Sequence, residues 1–124
     1  LLGIVDLILQ SPTGPVIVDF KTSARASAPL DIAHEIQLSC YALAFRHMYG
    51  ESESELQIRS LIKTKTPKVE IHRYAARDDT HFRRLFAVIR AYFDDLHARR
   101  FVYRPSWTCS MCGFRETHCR DWQG

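Results

Sequence analysis

Long apolar runs are what these 124 residues lack most plainly. No stretch approaches the unbroken length of a membrane span, and no leader-like pattern stands at the start, so a membrane partner is not expected. Internal repeats and low-complexity tracts are absent too, so repeat architectures are not in view. Cysteine is nearly missing from the body of the chain, where Cys40 is the only one before residue 109. A disulfide framework is therefore not the expectation, and the chain reads as cytoplasmic. Neither sign of charge dominates: 17 Lys and Arg face 14 Asp and Glu, giving +3 and a pI near 8.8. That mild excess is compatible with a polyanionic partner without demonstrating one. At 46% hydrophobic, the chain can bury one modest core. It opens at Leu1 rather than Met and reaches its first motif two residues later, so it is expected to be a fragment.

What is present begins with two strings, Gly3-Ile4-Val5-Asp6 and Asp19-Phe20-Lys21-Thr22. They sit in β-branched and apolar runs, Ile4 to Leu9 and Val16 to Phe20, on either side of Ser11-Pro12-Thr13-Gly14-Pro15. The pattern predicts two antiparallel strands joined by a turn. Strand residues an even number of steps apart share a face, so Asp19 and Lys21 point the same way, and a register closed by the turn brings Asp6 beside Asp19. Two carboxylates and an ammonium on an inner sheet face do not serve a core, because unpaired buried charge is costly. The set suits a divalent metal held by Asp6 and Asp19, with Lys21 beside the water that the metal activates.

Downstream, Asp31 is a plausible N-cap for a helix over Ile32 to Tyr49 that Gly50 stops. Its narrow polar stripe, Glu35, Ser39, Ala42 and Arg46, is the expected solvent face of a helix otherwise sandwiched between other elements. Gln37 and Tyr41 lie one turn apart on the buried side. On residue chemistry alone they fit interior packing and a site equally well. The strings GIVD, VIVDFKTS and Gln37-Leu38-Ser39-Cys40-Tyr41, in that order and followed by a cysteine cluster, resemble the PD-(D/E)XK nuclease superfamily. Within it they look most like the RecB-type exonucleases, including CRISPR-associated ones, over Gly3 to about Asp121. The resemblance implies an α/β (α+β) fold of the restriction-endonuclease kind, a mixed central sheet flanked by helices. It also implies that Gln37 and Tyr41 border the active site and the DNA strand, and that a helix preceding the core is lacking here.

Leu56 to Lys63 and Val69 to Tyr74 alternate around Thr64 to Lys68, which predicts a second hairpin. Lys63, Lys65 and Lys68 near its tip could touch phosphates, but residue by residue they read more readily as edge-strand guards. Asp78 or Asp79 then caps a helix reaching about Arg99, with Phe82, Leu85, Phe86, Ile89, Phe93 and Leu96 as its expected core stripe. Arg83, Arg84 and Arg90 face away from that stripe, and Asp94 and Asp95 are read as solvated, without a catalytic role.

Composition shifts at Tyr103, dividing a nuclease core, 1–102, from a cysteine-rich tail, 103–124. Cys109 and Cys112 form a C-x-x-C pair and Cys119 follows after six more residues, a spacing that favours a soft metal centre. The resemblance implies a [4Fe–4S] cluster in the intact protein, with its fourth cysteine upstream of the core. The family's usual interval between the second and third cysteines is five residues, so the six found here depart from it. A Zn²⁺ site completed by His118 is the alternative. Cys40, on the apolar helix face, is expected in the core.

The expected function is hydrolysis of DNA phosphodiesters with Mg²⁺ or Mn²⁺, as an exonuclease acting on single strands or duplex ends in repair, recombination or CRISPR-type processing. Asp6, Asp19 and the Phe20 carbonyl would hold the metal, Lys21 would steady water or developing charge, and Gln37 and Tyr41 would position the strand. A helicase or CRISPR-associated protein is the implied partner. Two other classes stay open. A non-catalytic nucleic-acid-binding module predicts Asp6, Asp19 and Lys21 salt-bridged to one another without metal; a zinc-binding interaction domain predicts no carboxylate cleft.

Overall fold

The computed structural model describes residues 3–23, 31–100 and 105–120, with side chains omitted for residues 31–33. Most of the polar connection expected before the first helix, the Asp31 side chain and the start of the tail at Tyr103 lie outside the described residues. The chain divides into two compact units, Leu1–Phe86 and Ala87–Gly124.

In the first unit, β1 (Leu7–Ser11) and β2 (Gly14–Ser23) form an antiparallel hairpin. The turn is tighter than the sequence suggests, because Ser11 already pairs with Gly14. The Ser11 hydroxyl donates to the Gly14 carbonyl at 2.7 Å, and Gly14 adopts a φ of 116° that a side chain would resist. Consequently β1 starts three residues later than its apolar run, and Ile4 to Asp6 precede the strand rather than opening it. Helix α1 (Asp31–Tyr49) then crosses to β3 (Glu55–Ile62), which lies parallel to β2. Strand β4 (Lys68–Ala75) returns antiparallel, completing a mixed four-stranded sheet in the order β1-β2-β3-β4. A strand–helix–strand crossover is what a parallel neighbour requires. Helix α2 (Asp79–His97) follows; the Asp78 carboxylate caps it, accepting from the amides of Thr80 and His81 at 2.9 and 3.1 Å. The α+β fold with a mixed sheet flanked by helices is as the sequence predicts. None of the helices among the described residues is long and apolar enough to cross a membrane.

The core lies where Leu38, Ala42 and Phe45 of α1 meet Ile17 of β2 and Leu56 and Ile58 of β3. Ala42 thus corrects the expected solvent stripe of α1, and the rest of that stripe is also withdrawn from water. Ser39 is fully buried, its hydroxyl satisfied by donating to the Glu35 carbonyl at 2.7 Å within the same helix. Glu35 pairs with Arg84, and Arg46 grips the buried Glu53 through two bonds of 2.8 and 2.9 Å. Polarity misled here because each polar group on this face finds a partner within the fold, a backbone carbonyl for Ser39, the buried Glu53 for Arg46 and the half-exposed Arg84 for Glu35. The face left open instead carries Ala44, His47 and Met48.

Glu53 also accepts from the Arg77 amide at 2.8 Å, and Arg46 donates to the Arg77 carbonyl at 2.6 Å. Burial pushes the Glu53 carboxyl upward, but these bonds and the Arg46 charge together hold it below its ordinary range. The network fastens the C-terminal end of α1 to the approaches of β3 and α2.

The α2 stripe also departs from expectation. Leu85 is buried and Phe82 half-buried, yet Phe86, Phe93 and Leu96 are 49%, 52% and 37% exposed. Periodicity reports an amphipathic face without reporting what covers it. The second unit holds the rest of α2, one 3₁₀ turn (Trp107–Met111) and one wider π-type turn (Arg115–Cys119).

Candidate active site

Alternation along β2 places Ile17, Asp19 and Lys21 on one face, and Ile17 fixes that face as the one under α1. Asp19 is thereby carried into the interior, with only 2% of its surface exposed. Its Oδ1 accepts from Gln37 Nε2 at 3.2 Å and faces the Tyr41 hydroxyl at 3.5 Å. Gln37 Nε2 also donates to that hydroxyl at 2.9 Å, so one turn of α1 presents a linked amide and phenol to a single carboxylate oxygen. The other oxygen, Oδ2, is buried without an aligned hydrogen-bond donor. It faces the Lys21 ammonium at 2.8 Å, an ion-pair distance reached by a side chain still 37% exposed.

Asp6 completes the arrangement from outside the strand. Continuing the β1–β2 register by one step sets Asp6 opposite Asp19. Its Oδ2 accepts from the Phe20 amide at 2.8 Å, so a side chain supplies the next rung of the ladder. Sequence reasoning did not foresee this tether, for which periodicity carries no signal. Asp6, Asp19, Lys21, Gln37 and Tyr41 are thus brought together around one stretch of β2.

The donor set suits a hard cation in one respect: the buried Asp19 Oδ2 takes no bond from Gln37 or Tyr41 and faces the Lys21 ammonium, while Asp6 is held at Phe20, the next residue of β2. Among the described residues no three His, Cys, Asp or Glu side chains gather as a metal-binding group. Two carboxylates fit Mg²⁺ chemistry, in which backbone oxygen, water and substrate phosphate complete the coordination.

The tail is arranged differently. Cys109, Cys112 and Cys119 are free thiols and are not drawn together as a metal-binding group. Cys109 Sγ accepts from the Ser106 amide at 3.2 Å, and the His118 ring nitrogen Nδ1 lies 2.9 Å from the Thr117 hydroxyl. In this conformation the thiols do not fit a shared iron–sulfur or zinc centre. Cys40 is half-buried rather than fully in the core, and burial raises its thiol pKa.

A model of the PD-(D/E)XK nuclease superfamily matches residues 1–120. The chain belongs to that superfamily. Among solved structures, it is similar to a candidate exonuclease from Eubacterium rectale, at 17% identity and a TM-score of 0.52. The match covers 83% of this chain and 42% of that one, so the present chain spans less than half of that protein's length. At this identity the likeness bears on the fold alone. No curated protein matches the chain significantly. Membership of the PD-(D/E)XK superfamily makes the chain a nuclease-family protein.

Proposed function

We propose that this chain is the core of a divalent-metal-dependent deoxyribonuclease of the RecB-type exonuclease branch, acting on strand ends. The observation that carries the reading is the buried Asp19 Oδ2, left without an aligned donor beside Lys21 while Gln37 and Tyr41 engage only Oδ1. Bound by Asp6, Asp19 and the Phe20 carbonyl, Mg²⁺ or Mn²⁺ would polarise the phosphodiester and supply water of lowered pKa. Gln37 and Tyr41 hold the Asp19 carboxylate in one orientation, which keeps Oδ2 on the Lys21 side. Lys21, charged and partly exposed, steadies the attacking water or the negative charge that grows on the phosphoryl oxygens. None of these groups presents a pattern of base-edge readers, so recognition is of backbone and strand ends.

The tail cysteines are proposed as ligands of a [4Fe–4S] cluster in the intact protein, or of Zn²⁺ with His118. Sites of this kind are rarely preformed, and binding would have to draw the two turns together.

The direct Lys21–Asp19 pair also favours a second reading, a binding module whose charges neutralise one another. End-labelled single- and double-stranded DNA, incubated with the intact protein and Mg²⁺ or Mn²⁺, separates the two. The nuclease yields product that EDTA abolishes and Asp19→Asn prevents; the module binds DNA and yields none with either metal. Iron analysis and visible absorbance of the same sample test the tail.

A further inference from the structure

Tyr41 has two sides, and only its hydroxyl belongs to the carboxylate site. Its ring lines a cavity of about 430 Å³ between the segment before β1 and the open face of α1. Gly3 and Val5 form one wall, Cys40, Ala44 and the rim residue His47 the other. The volume falls within the range of small-molecule pockets, and the lining is apolar with an aromatic plane and an imidazole at the edge. At the mouth, Gly3 lies against the Tyr41 ring, for a Cβ there would stand 3.6 Å from Tyr41 Cε1, an ordinary contact.

We infer that this cavity is a nucleobase subsite, taking the base next to the phosphate that lies over Asp19 and Lys21. The inference rests on the nuclease reading above. Continuity is the main argument: one tyrosine reaches the Asp19 carboxylate at 3.5 Å with its hydroxyl and forms the cavity wall with its ring. Val5 and Asp6 are likewise adjacent, one lining the cavity and the other holding the Phe20 amide. A strand whose backbone passes the carboxylates therefore has the cavity beside its next base. Stacking on an aromatic face is tolerant of base identity, as end-directed cleavage requires. The His47 imidazole can donate to or accept from a base edge or the sugar.

Single-stranded oligonucleotides carrying one abasic position, moved stepwise from each end, test this with the intact protein in EDTA by fluorescence anisotropy. Loss of about tenfold in affinity is expected at one or two adjacent positions, the worth of one stacked base. Ala44→Trp, which fills the cavity from an exposed helix position, should weaken the complete strand to the abasic level and flatten the scan. Gly3→Val narrows the same mouth from the opposite wall and should act likewise if Ala44→Trp does not fold. A flat scan in the unaltered protein overturns the subsite, and the groove then belongs to a protein partner or to nothing. A peak that survives both substitutions also overturns it, because the base then sits elsewhere. Cleavage with a flat scan removes the subsite alone; a peaked scan without Mg²⁺- or Mn²⁺-dependent cleavage removes the nuclease reading alone.

Discussion

The β1–β2 hairpin and the cysteine tail each carry a spaced set of metal-type ligands, and the backbone treats the two sets differently. In the hairpin, a ladder of paired residues from Leu7↔Val18 to Ser11↔Gly14 converts sequence distance into position. In the tail, the backbone bonds are local, such as Cys112 N to the Cys109 carbonyl at 3.3 Å and Arg115 N to the Cys112 carbonyl at 3.2 Å, and they shape the turns without drawing the thiols to one centre. Spacing is geometry where a sheet enforces it. Elsewhere it is only proximity along the chain.

The comparison is tested most severely at Asp19 and Lys21. In the intact protein, Asp19→Asn should lower the cleavage rate by about a thousandfold or more. Lys21→Ala should cost roughly a hundred- to thousandfold while leaving DNA affinity largely in place, because lysine acts on the transition state. Single-turnover rates beside equilibrium binding read both, and a Lys21→Ala protein that cuts normally breaks the proposed division of roles.

Next in size is the fastening of α1, on which Gln37 and Tyr41 depend. Arg46→Ala strands the buried Glu53 charge and should destabilise the first unit by about 3 kcal/mol, measured by urea unfolding. Because the folded Glu53 carboxyl lies below its unfolded value, its contribution is fully present above roughly pH 4.3. It is lost as pH falls through the folded value. Glu53→Gln should flatten the acid limb of the stability profile, and an unchanged limb would mean that other carboxylates govern it.

Asp6 offers a finer cut. Asp6→Asn keeps an oxygen for the Phe20 amide and should leave the melting temperature nearly intact while activity collapses. Asp6→Ala should also lose about 1 kcal/mol of stability, the worth of an exposed charge-assisted bond. Smallest of all, Cys112→Ser should leave the unfolding of the hairpin unit unchanged while abolishing bound iron or zinc in the intact protein. A shift in hairpin stability would show that the two regions are coupled.

Much of the site was legible because strand alternation needs no knowledge of tertiary packing: Asp19 and Lys21 share a face wherever β2 lies. Gln37 and Tyr41 needed the family likeness, since helical spacing says that they are neighbours but not what they face. The stripe from Glu35 to Arg46 was illegible for a physical reason, namely that its ionic partners Glu53 and Arg84 lie outside the helix, beyond the reach of helical periodicity. Helix α2 fails in the opposite sense, for its apolar stripe is real and yet Phe86, Phe93 and Leu96 on it stay exposed.

The rung that Asp6 builds to Phe20 spans only 14 residues, whereas Tyr41 reaches Asp19 across 22 and β2 finds β3 only after the whole crossover. Folding order follows from those separations, because short loops close first and distant pairings wait on their entropy. The acidic pair can therefore meet in a nascent hairpin within microseconds, while its desolvation is delayed until α1 docks. During that interval both carboxylates are hydrated, so water holds their mutual repulsion to about 1 kcal/mol at ~4 Å, and it opposes the first step of assembly only weakly.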